Sequence, residues 1–161
     1  MIKSSTVAAL AALALGASAP AGLTVYNFGL SGAQEVAPNS STALGVATII
    51  YDTTSDVFDI TVLVVGIGLS DLRPVGPNGS PIHIHMAPPG VNGGIVIDLG
   101  FLSSFMQAGL GIQYSAIGVT AGGTYGGISS DPALVRQAFD AGNLYVNIHT
   151  NNYPGGEIRG Q

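Results

Sequence analysis

The chain of 161 residues contains no cysteine. A disulfide framework, a thiolate nucleophile and a cysteine-based zinc site are therefore excluded. Any metal site must use imidazole, carboxylate, thioether or backbone oxygen. Charge is scarce as well: nine acidic residues stand against four basic ones, and the basic residues form no cluster. Without such a cluster the chain cannot neutralise phosphates, which argues against nucleic acid as a partner and against attraction to anionic lipid. Motifs for several chemistries are missing too. There is no Gly-x-Ser-x-Gly elbow and no phosphate loop, so a hydrolase has no nucleophile arrangement to rest on. Gly66-Ile67-Gly68 lacks the third glycine and the following helix of a dinucleotide fingerprint.

Glycine, valine, isoleucine and alanine are abundant. With so little charge they point to packed, turn-rich structure and against disorder. The length suits one domain with one core. Residues 1–21 read as a signal peptide: Lys3 supplies the positive start, Thr6 to Leu15 is an uninterrupted apolar run, and Ala19-Pro20-Ala21 is a small-x-small cleavage site. The run is short for a spanning helix, which needs about 20 residues. The expectation is a domain over residues 22–161 that is secreted or periplasmic, with no membrane span after cleavage. The two sequons, Asn39-Ser40-Ser41 and Asn78-Gly79-Ser80, lie in loops.

Period-two patterning dominates the rest. Leu23 to Leu30, Leu44 to Tyr51, Pro81 to Met86, Ile95 to Leu99 and Gln113 to Val119 read as strands. Val57 to Val65 alternates most cleanly, with Phe58, Ile60, Val62 and Val64 on the core face. Phe101 to Leu110 reads as a short helix or an apolar loop, and Thr120 to Gly127 as flexible. Asp131-Pro132 opens a helix near 131–141 that Gly142 ends. Leu144 to Thr150 and Glu157 to Gln161 form a terminal hairpin. Many short strands and one helix predict an all-β fold, an antiparallel immunoglobulin-like β-sandwich or barrel.

The three histidines concentrate in two segments, His83-Ile84-His85 and the Tyr145 to Thr150 stretch that holds His149. On a strand, His83 and His85 point the same way, roughly 6–7 Å apart. Ile82 and Ile84 take the core side. The same alternation puts Val146 and Ile148 inward, and Tyr145, Asn147 and His149 outward. If the two strands are neighbours, three imidazoles share one space, a workable three-coordinate set for copper or zinc. Met86 is a weaker thioether candidate. Against this stands a structural role, in which the histidines serve as hydrogen-bonding groups. Glu157 and Arg159 share one face of the last strand. They form either an ion pair or, in the sharper reading, a support in which Glu157 accepts a histidine ring N–H and fixes its tautomer.

Ile82-His83-Ile84-His85, Asn92-Gly93, Tyr145-Val146-Asn147-Ile148-His149-Thr150 and Pro154-Gly155-Gly156-Glu157-Ile158-Arg159-Gly160-Gln161 together resemble the CHRD domain. That module is found in chordin and, alone, in exported bacterial proteins. The resemblance runs from about Leu23 to Gln161. The chain departs from the family's common pattern at Ile82, usually alanine, and at Ala37-Pro38, usually paired prolines. The resemblance implies an immunoglobulin-like β-barrel with a poorly defined biochemical role; an unknown protein or glycan is the partner expected if no metal binds. A looser likeness is to copper–zinc superoxide dismutase, whose copper also sits on a His-x-His strand plus a later histidine. No histidines remain here for that enzyme's zinc site, so dismutase activity is not expected. Copper, ahead of zinc, is the metal expected at His83, His85 and His149. Copper-dependent redox chemistry is the one enzymatic option kept, behind simple binding and behind a structural or adhesion role.

Overall fold

Alternation of apolar and polar side chains shapes the first half of the fold. A computed structural model describes residues 22–100, 104–125 and 128–161; the expected signal peptide lies outside them. Strands β1 (Leu23–Ser31), β2 (Leu44–Asp52) and β3 (Val57–Val65) form an antiparallel meander. Phe58, Ile60, Val62 and Val64 are buried, while Asp59 and Thr61 are exposed. A one-residue slip would bury Asp59 instead, and that fixes the register.

Next come β4 (Ile82–Met86), β5 (Gly94–Asp98), β6 (Phe105–Ala108) and β7 (Gly111–Thr120). They are followed by β8 (Gly123–Tyr125), β9 (Ile128–Ser130), helix α1 (Pro132–Asp140), β10 (Leu144–Ile148) and β11 (Ile158–Gly160). Nine strands make one antiparallel sheet in the order β5-β4-β10-β11-β1-β2-β3-β7-β6. The sheet curls on itself: Ile84, Ile97, Val146 and Ile148 from one end share a single buried cluster with Ile49, Ile60, Val62 and Ile112 from the other. The all-β, antiparallel architecture expected from sequence holds, with one curled sheet supplying both layers.

Two segments differ from expectation. Residues 105–108, expected within a helix or loop, are the edge strand β6 beside β7; residues 101–103 lie outside the described ones. A short apolar run does not reveal its period, and the neighbouring strand decides it. The stretch expected to be flexible contains β8, which pairs with β9 as a small separate sheet. Its glycines concealed the strand character.

Helix α1 starts as its sequence dictates. Asp131 accepts the Ala133 N–H at 2.8 Å and Pro132 occupies the first turn. Gly142, at φ +66°, ends it. Phe139 is buried against Tyr26, Tyr51 and Phe58, at ring separations of 5.0, 5.4 and 5.9 Å. Such pairs contribute about 0.5–1.5 kcal/mol each beyond area burial.

The opposite face of the β5-β4-β10-β11 half positions the site. Across these strands the register sets Asp98 against His83, His83 against Asn147 and Asn147 against Arg159, with His85 against Tyr145. An antiparallel sheet often leaves its outer face to water. Here β10 and β11 are buried throughout and β4 nearly so, because loops lie over that face. Asn39 ties one loop down by donating to the Glu157 carbonyl at 2.9 Å, the Arg73 N–H donates to the His149 carbonyl at 3.0 Å, and Asn92 donates to the Val36 carbonyl at 2.9 Å.

Candidate metal centre

Isoleucines at 82, 84 and 148 claim the core, and the intervening positions must turn away from it. That alternation brings His83, His85 and His149 together. Each offers one ring nitrogen, and the three lie within 4.8 Å of one another. The ring pairs stand 5.1–6.2 Å apart. All three residues are buried beneath the loops.

Two of the rings are held by backbone. His85 Nδ1 is 3.0 Å from the Gly93 carbonyl, and His149 Nδ1 is 3.1 Å from the Pro154 carbonyl. A carbonyl only accepts, so each Nδ1 carries the proton and each Nε2 presents a bare lone pair. His83 differs. Neither of its nitrogens has a hydrogen-bond partner, and its Nε2 stands 3.9 Å from the Asp98 carboxylate, both side chains being buried.

Burial lowers the affinity of all three rings for protons. It depresses His83 to about 3, with His149 and His85 adding to the effect and the nearby Val75 backbone opposing it. His85 falls to about 4 against the opposing pull of the Gly93 carbonyl. His149 is lowered by burial too. At neutral pH the site holds uncharged imidazoles, the form that ligates a metal.

A stack shields His85. The Tyr145 ring lies parallel to it at 4.8 Å, and the Arg159 guanidinium sits 3.4 Å above the other ring in that stack, Tyr145 itself. Arg159 donates to the Val91 carbonyl at 2.9 Å and to Gln161 Oε1 at 2.7 Å. Behind the histidines, burial raises Glu35 to about 7, while the Arg159 charge and the Asn147 amide pull it back.

Neither sequence reading of Glu157 describes its carboxylate. Glu157 accepts the Ser41 hydroxyl at 2.6 Å and the Thr150 hydroxyl at 2.5 Å, and the backbone carbonyls of Gly93 and Pro154 take the ring N–H groups instead. The expected Glu157–Arg159 ion pair does not form either: among the described residues the charged pair is Arg136–Asp56, and Asp98 stands 3.9 Å from the uncharged His83. Met86 packs against the core, away from the histidines, as continued alternation along β4 requires. Asp98, Asn147 and Glu35 are the members of this face that sequence reasoning did not assign to the site.

The buried side-chain N and O atoms without a hydrogen-bond partner, among the described residues, are Glu35 Oε1, His83 Nδ1 and Nε2, His85 Nε2, Asp98 Oδ2, Asn147 Oδ1 and His149 Nε2. Every one belongs to this face. Native interiors keep such atoms few, because each costs about 1–3 kcal/mol. Their concentration in one place marks this face as the candidate site.

A curled antiparallel sheet with a loop-covered polar face defines an all-β binding or structural module. The model of the CHRD domain matches residues 26–161, and the chain belongs to that family. Neither the comparison with curated proteins nor that with solved structures returned a match. Among the described residues, no helix is long and apolar enough to cross a membrane.

Proposed function

We propose that this CHRD domain is an exported module that holds one transition-metal ion, copper in preference to zinc, through His83, His85 and His149. The observation that carries the reading is the convergence of bare imidazole nitrogens at one buried point. Donors on a tetrahedral ion at 2.0–2.1 Å stand roughly 3.4 Å apart. The trio is within reach of that spacing by small ring movements. Imidazole suits both metals, and a site of fixed nitrogen donors binds Cu(II) above Zn(II) in the ordinary order of affinities. Holding two rings by Nδ1–H to backbone carbonyls is the usual support for metal-bound histidine. When bound, the ion would supply a redox couple or a Lewis acid; the chain supplies uncharged donors, a fixed orientation and shelter from water.

Titration of the purified protein with copper and zinc, read by calorimetry, tests this. Tight one-to-one binding is expected, with copper stronger, and a His83→Ala/His85→Ala variant should lose at least about a hundredfold in affinity. A folded wild-type protein that binds neither metal would make the histidines a structural network. Export rests on the apolar run and small-x-small site within residues 1–21. The intact mass of protein recovered outside the cytoplasm should begin at Gly22; an unprocessed Met1 start would contradict it.

A further inference from the structure

Asp98 shares this buried face with the three histidines. It lies across β4–β5 from His83 in register. Its Oδ1 takes the Gly100 N–H at 3.4 Å, while its Oδ2 is buried without a partner, 3.9 Å from His83 Nε2. Buried carboxylates are normally paired or turned toward a cation. The chain has few basic residues, and the guanidinium groups of Arg136 and Arg159 are engaged elsewhere.

We infer that Asp98 is a positioning residue, which holds the His83 proton on Nε2 and so turns Nδ1 toward the metal. This rests on the three-histidine reading and deepens it. His83 then differs from its two companions. His85 and His149 are protonated on Nδ1 by contact with carbonyls and donate from Nε2. His83 is protonated on Nε2 and donates from Nδ1. Gly76 of the covering loop also lies on the Nε2 side of the ring, where an ideal Cβ would stand 3.2 Å from that nitrogen. The carboxylate also places a negative charge one imidazole away from the cation, as a counter-charge that raises the basicity of the ligating nitrogen.

The test has two arms. In metal-free protein, long-range 15N–1H NMR of the imidazoles should show His83 as the Nε2–H tautomer and both His85 and His149 as Nδ1–H tautomers. In Asp98→Asn, with a native far-UV spectrum, the His83 Nε2–H resonance should move upfield and affinity for Zn(II) and Cu(II) should fall about 10–100-fold. A His83 proton on Nδ1 would overturn the inference. So would an Asp98→Asn protein with unchanged resonance and unchanged metal affinity, which would leave the backbone around Val75 as what orients the ring. The wild-type tautomer measurement needs neither metal nor a folded variant. It therefore decides the His83 tautomer separately from the titration that decides metal binding, and Asp98→Asn decides whether the carboxylate or the Val75 backbone holds that tautomer.

Discussion

Metal-free protein is expected to lose its fold as the pH drops from 6.5 toward 4. His83 and His85 have native values of about 3 and 4, and His149 is lowered in the same direction, against about 6.5 in an unfolded chain. Within that window the unfolded chain binds protons that the native state refuses, so stability is full above 6.5 and falls with pH. Each histidine contributes a slope of about 1.4 kcal/mol per pH unit. Glu35 acts with the opposite sign. Its native value of about 7 lies above the ordinary carboxyl value of 4.5, so its contribution is full below 4.5 and is lost as the pH rises through 7. It offsets one histidine between 4.5 and 6.5, leaving a net slope of about 1.4 kcal/mol per pH unit from His83 and His85, to which His149 adds in the same direction. Against a typical total stability of about 5–15 kcal/mol, the loss accumulated by pH 4 unfolds a domain at the lower end of that range. Metal at 100 times its Kd adds about 2.7 kcal/mol and should move the acid midpoint down by about one to two pH units. Thermal melts from pH 7.5 to 4, with and without zinc, check both statements. Replacing the histidines with glutamine should flatten the slope. A metal-free melting temperature constant over that range would contradict the burial argument.

Arg159→Ala is expected to cost about 3–5 kcal/mol, comparable to removing one partner of a buried pair. Arg159 is 1% exposed, the largest of the fully buried side chains. Its loss strands the Val91 carbonyl and Gln161 Oε1 and uncovers the Tyr145 ring that packs on His85. It also removes the positive charge that restrains Glu35, whose pKa should rise further. Arg159→Lys should not restore stability, because an ammonium reproduces neither the planar stack nor the forked donation. Urea denaturation of the three proteins measures this. A loss below about 1 kcal/mol for the alanine variant would place Arg159 among ordinary surface arginines.

The histidine trio was legible because alternation is a local property. Isoleucines at 82, 84 and 148 fix which way their neighbours point, and a two-residue spacing needs no tertiary information. The partners of the trio were not legible for the opposite reason. Asp98 meets His83 only because β5 pairs with β4 in a particular register, with an irregularity between Ile84 and His85. Glu157 answers to Ser41, more than a hundred residues away in sequence, through a loop whose course no local pattern dictates. Glu35 reaches Asn147 by the same route. The fold was read correctly where strands alternate and misread at β6 and β8, where short apolar or glycine-rich stretches carry no period of their own.

Anomalous diffraction at the copper edge, on crystals of the loaded protein, tests the three-histidine site. One strong peak is expected about 2.0–2.1 Å from Nε2 of His85, Nε2 of His149 and a ring nitrogen of His83. Copper bound elsewhere, or no peak between these rings in well-ordered crystals, would contradict it.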